Sequence, residues 1–154
     1  MPAPHTMPLY LRFGDEDSYG HVNNVRYLQF LEDARVQLMN LPLQHGSFFD
    51  MTDADHYTLV GRQEIEYRAP LSFSLRPAAV DLWITGVGGS SFDVGYAVRD
   101  RVEVDDSVTS ALAATTMVLV SRSTGRPVRL SDGQRLALSS WNGPPVAFRR
   151  PRKA

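Results

Sequence analysis

One stretch of helical periodicity, near residues 24–40, stands in a chain whose other patterned segments alternate in twos. Asn23 and Asn24 are good helix caps. Behind them Val25, Leu28, Leu31, Ala34 (or Arg35) and Leu38 recur at three- and four-residue steps. Tyr27, Phe30, Val36 and Met39 widen the apolar surface to most of the circumference, and only Arg26, Gln29, Asp33 and Gln37 form a narrow polar stripe. A helix this apolar belongs at the centre of a fold. Pro42 and Gly46 end it, and about 18 residues at ~1.5 Å each make it roughly 27 Å long.

From residue 57 onward the apolar residues alternate. Residues 57–68 put Arg62, Glu64, Glu66 and Arg68 on one side and Gln63, Ile65 and Tyr67 on the other. Val80, Leu82 and Ile84 share a face of 79–87, and Phe92, Val94, Tyr96, Val98, Val102 and Val104 share one of 91–104. Residues 107–121 offer Val108, Leu112, Val118 and Val120, with small Ala and Thr between. Turns are expected after Ala69-Pro70, at Gly88-Gly89-Ser90 and at Asp105-Asp106. A short strand over Leu9–Phe13 precedes the long helix, and a short helix over Asp132–Ser140, capped by Ser131 or Asp132, follows the strands. The proline-bearing start and the basic end FRRPRKA read as solvated tails around a single domain, residues 1–154, with its core at about 7–140. The order predicts an α+β layer, one antiparallel sheet with one long helix. Trp83, Val87, Ala111, Ala113, Met117 and Leu119 then remain for the second face of the sheet. Those residues, and the exposed sheet edges, predict that two chains join.

Composition narrows the function. Lys and Arg number 16 against 17 Asp and Glu, which lacks the basic excess of a nucleic-acid binder. With no cysteine, disulfides, thiolate metal sites and a cysteine nucleophile are excluded. No apolar run is long enough for a membrane span and the start is not a secretory signal, so a cytoplasmic protein is expected. His5, His45 and His56 lack metal-ligand spacing, so no metal or cofactor is expected. A phosphate-binding loop and a Gly-x-Ser-x-Gly elbow are both missing.

The segment before the helix carries the chemistry. Asp15, Glu16, Asp17, His21, Asn23 and Asn24 fall within ten residues. The first N–H groups of a helix have no internal partner and carry partial positive charge. They can hold a developing oxyanion, and an Asp just upstream is ionised at neutral pH. Asp17 with the Asn24 backbone N–H is therefore a minimal pair for cleaving an ester or thioester.

The pattern Asp15-x-Asp17-x-x-Gly20-His21-Val22-Asn23-Asn24-x-x-Tyr27-Leu28-x-Phe30-Leu31-Glu32-x-Ala34-Arg35 resembles the signature of the 4-hydroxybenzoyl-CoA-thioesterase-like branch of the hotdog fold. Its His-Val-Asn-Asn core is similar to that of long-chain acyl-CoA thioesterases. Ile65-Glu66-Tyr67 with Pro70-Leu71, Ser90-Ser91-Phe92, and Thr124-Gly125-Arg126-Pro127 extend the likeness. The resemblance implies a hotdog fold, an antiparallel sheet wrapped around one long central helix. It implies an acyl-CoA thioesterase with Asp17 as the catalytic carboxylate and the N–H near Asn24 polarising the carbonyl. Gly20, His21, Asn23, Tyr27, Ser90 and Ser91 are then substrate-binding. The site lies between the chains of a homodimer or homotetramer, with the coenzyme A nucleotide near Ser90-Ser91. Here Gly88-Gly89-Ser90 stands where some relatives carry basic residues, which leaves Arg122 or Arg126 to meet phosphate.

Plainer roles compete at each position. Asp17 is also a good turn former, and Asp15 is expected to be structural, paired with Arg12 or Arg26. His21 is expected to make an orienting hydrogen bond, with general acid as the alternative. Glu32 and Arg35 read as an intrahelical ion pair. Tyr27 divides evenly between core and acyl pocket. An acyl-carrier-protein thioesterase and a non-catalytic acyl-thioester binder are the remaining alternatives.

Overall fold

The structure is a computed structural model that describes residues 4–44 and 46–149; His45 lies outside them. β1 (His5–Leu9) is followed by a 3-10 turn at Phe13–Asp15 and the long helix α1 (Asn24–Asn40). Then come β2 (His56–Tyr67), β3 (Ala78–Val87), β4 (Ser91–Arg99), β5 (Thr109–Ser121) and the short helix α2 (Asp132–Ser139). The five strands form one sheet in the order β1-β3-β4-β5-β2, and every neighbouring pair is antiparallel. β1 and β2 are thus opposite edges. α1 leads the chain from one edge to the other, and residues 68–77 lead it back.

Local chemistry sets the helix ends. The Asn23 side chain accepts the Val25 N–H at 2.9 Å, satisfying one orphan donor of the first turn. Leu41 has an extended backbone because Pro42 follows it, and the helix stops there. Ser131 caps α2 with Gln134 reaching back to it, a reciprocal box.

The buried face of α1 is Tyr27, Phe30, Leu31, Ala34, Arg35, Leu38 and Met39. Val25, Leu28 and Val36, expected to be covered, are exposed in the single chain. The helix packs on the sheet face that carries Val80, Leu82, Ile84, Phe92, Val94, Tyr96 and Val98, all essentially inaccessible. Phe48, from the loop after α1, closes the core against Phe92 with ring centres 5.4 Å apart.

Four expectations are corrected. The first strand is His5–Leu9 rather than Leu9–Phe13; Pro8 fits it because an edge strand can leave one amide position unpaired. β4 ends at Arg99, not near 104. There the Arg99 guanidinium pairs with Asp81 at 2.7 and 3.0 Å. It also donates to the carbonyls of Arg101 and Val102, which curls the chain away from the sheet. In β5 the phase is reversed: Ala111, Ala113, Met117 and Leu119 face the core, while Leu112, Val118 and Val120 lie on the outer face by strand alternation. Finally, residues 141–149 are not a free tail. Residues 141–143 run beside β3, with Ile84 N–H donating to Trp141 C=O at 2.7 Å and Gly143 N–H to Ile84 C=O at 2.9 Å. The chain then crosses the outer face as far as β2, covering Trp83 on the way.

Candidate functional site

The polar segment before α1 is a small closed turn. Glu16 and Val22 bridge, the Asp17 N–H donates to His21 C=O at 3.0 Å, and Gly20 N–H donates to Asp17 C=O at 3.1 Å. Gly20 sits at φ +78°, a conformation glycine adopts at little cost. The loop after β2 holds this turn from outside: Val22 N–H donates to Leu71 C=O at 2.7 Å and Phe73 N–H to the Glu16 carboxylate at 2.5 Å. Asp15 is buried and structural, accepting the Arg12 N–H at 2.8 Å and pairing with the Arg12 guanidinium at 3.8 Å.

The Asp17 carboxylate is half-buried and accepts two bonds, from the Tyr19 N–H at 2.9 Å and from Asn23 Nδ2 at 3.4 Å. Asn23 therefore faces both ways: its amide NH2 points at Asp17 while its oxygen caps α1. Among the described residues the Asn24 N–H has no hydrogen-bond acceptor, so a donor at the positive end of α1 is left open, next in sequence to the side chain that anchors Asp17.

A depression of about 370 Å³ opens at this end of α1, lined by His21, Val22, Asn24, Tyr27, Tyr67 and Arg68 among others. The His21 imidazole lines it without a hydrogen bond to any described residue; the orienting bond expected of this residue is made by its carbonyl instead. Tyr27 belongs both to the core and to the depression. Burial pushes its phenol up to about 12, and the neighbouring Tyr67 phenol adds to this. The buried Ser110 hydroxyl, near Tyr27 but outside bonding geometry, acts weakly against it. The Tyr27 phenol therefore stays protonated near neutral pH and is available as a donor, not a base.

Sequence reasoning missed Tyr67. Its hydroxyl donates to the Asn24 C=O at 2.9 Å, and its ring stands edge-on to Tyr27 at 5.1 Å. The available signals were its place at the end of a strand and in the Ile65-Glu66-Tyr67 segment of the resemblance. The expected intrahelical pair of Glu32 with Arg35 is present at 4.0 Å, with Glu32 exposed. Arg35 is buried and also donates to the Tyr96 hydroxyl at 3.0 Å. The charges of β2 pair along their own strand, Arg62 with Glu64 and Arg68 with Glu66.

His21, Asn24 and Tyr27 thus line the depression at the start of α1, while Asp17, Gly20 and Asn23 belong to the turn beside it and are not part of its lining; Ser90 and Ser91 do not join them. Ser91 pairs with Val118 whereas Tyr67 pairs with Ala111, so the two places lie roughly 24 Å apart along β5 at ~3.4 Å per residue. Four arginines lie toward the Ser90-Ser91 end of the sheet, together with the Asp55 carboxylate that Ser121 and Ser123 hold. Arg135 donates to Gly88 and Gly89 C=O at 2.9 Å, Arg122 covers the Tyr57 ring at 4.4 Å, and Arg126 and Arg129 flank the segment that bonds to β5 and Gly89.

Residues 11–138 match the thioesterase-like superfamily. The chain belongs to that family. The PA5185 protein of Pseudomonas aeruginosa is 27% identical over 91% of this chain and 92% of its own, with a TM-score of 0.74. YbaW, a probable thioesterase of Escherichia coli, is 24% identical over 90% and 98%, TM-score 0.71. A Thermus thermophilus thioesterase solved with coenzyme A and zinc is 24% identical over 90% and 94%, TM-score 0.69. None of the curated proteins matches the chain. The fold is the α+β hotdog fold, and family membership supports thioesterase activity in general. No helix among the described residues is long and apolar enough to cross a membrane, and no group of three His, Asp or Glu among them is placed to hold a metal ion.

Proposed function

We propose that this chain hydrolyses an acyl-CoA thioester to a free acid and coenzyme A, with Asp17 as nucleophile or general base. The observation that carries the reading is an anchored carboxylate together with a helix N–H that has no acceptor among the described residues, joined through Asn23. The thioester carbonyl docks on the Asn24 N–H, where negative charge developing on its oxygen meets the helix dipole. Asp17 takes a proton from water as the hydroxyl adds to the carbonyl carbon. The C–S bond then breaks, the thiolate leaves and is protonated, and the acyl group departs as the acid. In the nucleophilic variant the Asp17 oxygen adds first and water cleaves the resulting anhydride.

The arginine-bearing end beside Ser90-Ser91 supports coenzyme A as carrier, since its phosphates need cations and Arg122, Arg126, Arg129 and Arg135 stand there. Within one chain that end is too far from Asn24. β2 is a 12-residue edge strand with Leu59 and Val60 exposed, a template for a second copy. Antiparallel pairing of two β2 strands sets the Tyr67 end of one chain against the His56 end of its partner, which is the end where β5 meets Ser91. A homodimer formed this way completes the site.

The test is thiol release from acyl-CoAs ranging from acetyl to palmitoyl, plus benzoyl, with wild type beside Asp17→Asn. Turnover lost by about 10²–10⁴-fold in a well-folded Asp17→Asn is expected of a positioned acid–base group. A folded, fully active Asp17→Asn would sink the assignment. Labelled oxygen from water entering Asp17 in a single turnover marks the nucleophilic route. Turnover only of acyl-carrier-protein esters would reassign the carrier and keep the chemistry.

A further inference from the structure

We propose that residues 141–149 form a strap that positions the candidate site through Tyr67. The inference rests on reading the start of α1 as that site. The strap is stiff by composition, because Pro144-Pro145 favours an extended backbone. Its path is built into the sheet. A Cβ on Gly143 would come within 2.4 Å of the Trp83 ring, so the chain lies flat on that ring, and Trp83 Nε1 donates to Pro144 C=O at 2.7 Å. Val146 then drops over Gly95, where an added Cβ would meet it at 2.8 Å. Beyond it, Arg68 donates to Ala147 C=O at 2.8 Å, and the Arg149 N–H donates to the Glu66 carboxylate at 2.9 Å. Arg68 and Glu66 also bind each other at 2.6 Å.

The strap therefore grips both neighbours of Tyr67. By strand alternation Tyr67 points to the opposite face, where its hydroxyl holds the Asn24 C=O. Tyr67 is the last residue of β2, and strand ends open most readily. A clamp on Glu66 and Arg68 restrains the outer side and so fixes the tyrosine that steadies the first turn of α1. Tyr67 is a positioning residue, and the strap acts through it.

The test uses the full chain with Val146→Asp and, from the other side of the contact, Gly95→Val, each measured for backbone amide exchange and for turnover. Exchange in residues 141–149 reports release of the strap. The expected result is release accompanied by about tenfold faster exchange at residues 25–28, the scale set by one lost hydrogen bond. A comparable fall in kcat and little change in KM accompany it. Tyr67→Phe should reproduce the effect at 25–28 and on kcat while the strap stays protected. A released strap with wild-type exchange at 25–28 overturns the proposal, as does a strap that stays protected in both variants. Asp17→Asn separates this from the functional reading: if that variant retains turnover the proposed catalysis fails, while the exchange data still decide whether the strap steadies α1.

Discussion

Asn23 makes two bonds that its substitutions can separate. Its oxygen caps α1 and its NH2 holds Asp17. Asn23→Ala loses both. The cap is worth about 1 kcal/mol, which for a chain of this size lowers Tm by roughly 2–4 °C; turnover falls as well, because Asp17 loses an anchor. Asn23→Asp keeps the cap, since Asp caps as well as Asn, but sets a second carboxylate where the amide stood. At 3.4 Å, two like charges with water-like screening repel by about 1.2 kcal/mol. Both variants should therefore melt roughly 2–5 °C below wild type at neutral pH, for different reasons. The loss in Asn23→Ala is a missing cap and persists as the pH falls. The loss in Asn23→Asp is a charge repulsion and shrinks toward zero at acid pH, where the pair is no longer doubly ionised. Thermal melts at about pH 7.5 and about pH 4 separate the two. An Asn23→Asp deficit that is the same at both pH values, or absent at the higher one, refutes the claim that the Asn23 side chain faces the Asp17 carboxylate.

Two further predictions concern the scaffold. Tyr96→Phe removes the hydroxyl that Arg35 donates to, leaving a buried charged donor unsatisfied; the cost of about 1.5–3 kcal/mol should lower Tm by roughly 3–12 °C, and a variant melting with wild type would remove Arg35 from the stability argument. His5 has its pKa lowered by burial in β1, so near and below pH ~6.5 the unfolded chain binds the proton more readily than the folded one. Stability from this site is full above that pH and falls as the pH descends through it, so the Tm loss between pH 7.5 and 5.5 should shrink in His5→Gln, and parallel losses in the two proteins would exclude His5 as the source.

What the sequence made legible were features that one segment decides for itself. α1 begins where Asn23 can cap it and ends where Pro42 forbids continuation. The turn at Gly20 and the structural role of Asp15 follow from residues a few positions away. What it hid depends on neighbours distant in sequence. The phase of β5 is hard to read because its inward positions begin with two alanines, Ala111 and Ala113, where β4 fills the layer: Tyr96 pairs with Ala113 and Val98 with Ala111. Arg35 looks like half of a surface ion pair until Tyr96 is placed beneath it. The last described residues look like a tail until Trp83 and Gly95 are seen to give them a bed.

The same distinction runs through the candidate site. Asp17, His21, Asn23 and Asn24 are contiguous enough for one loop and one helix start to align them, and their types could be read in order. Tyr67 belongs to another edge of the reasoning, because nothing near residue 67 says that its hydroxyl closes on the first turn of a helix 43 positions earlier. Ser90 and Ser91 go one step further. The register of β5 sets them at the far end of the strand from Tyr67, and no folding of a single chain along that register joins them to Asn24. Under the proposed reading, a second copy paired on the exposed edge of β2 brings their resemblance-based role and their position into agreement. That argument rests on the distance between two parts of the proposed site and is independent of how much apolar surface the sheet leaves uncovered.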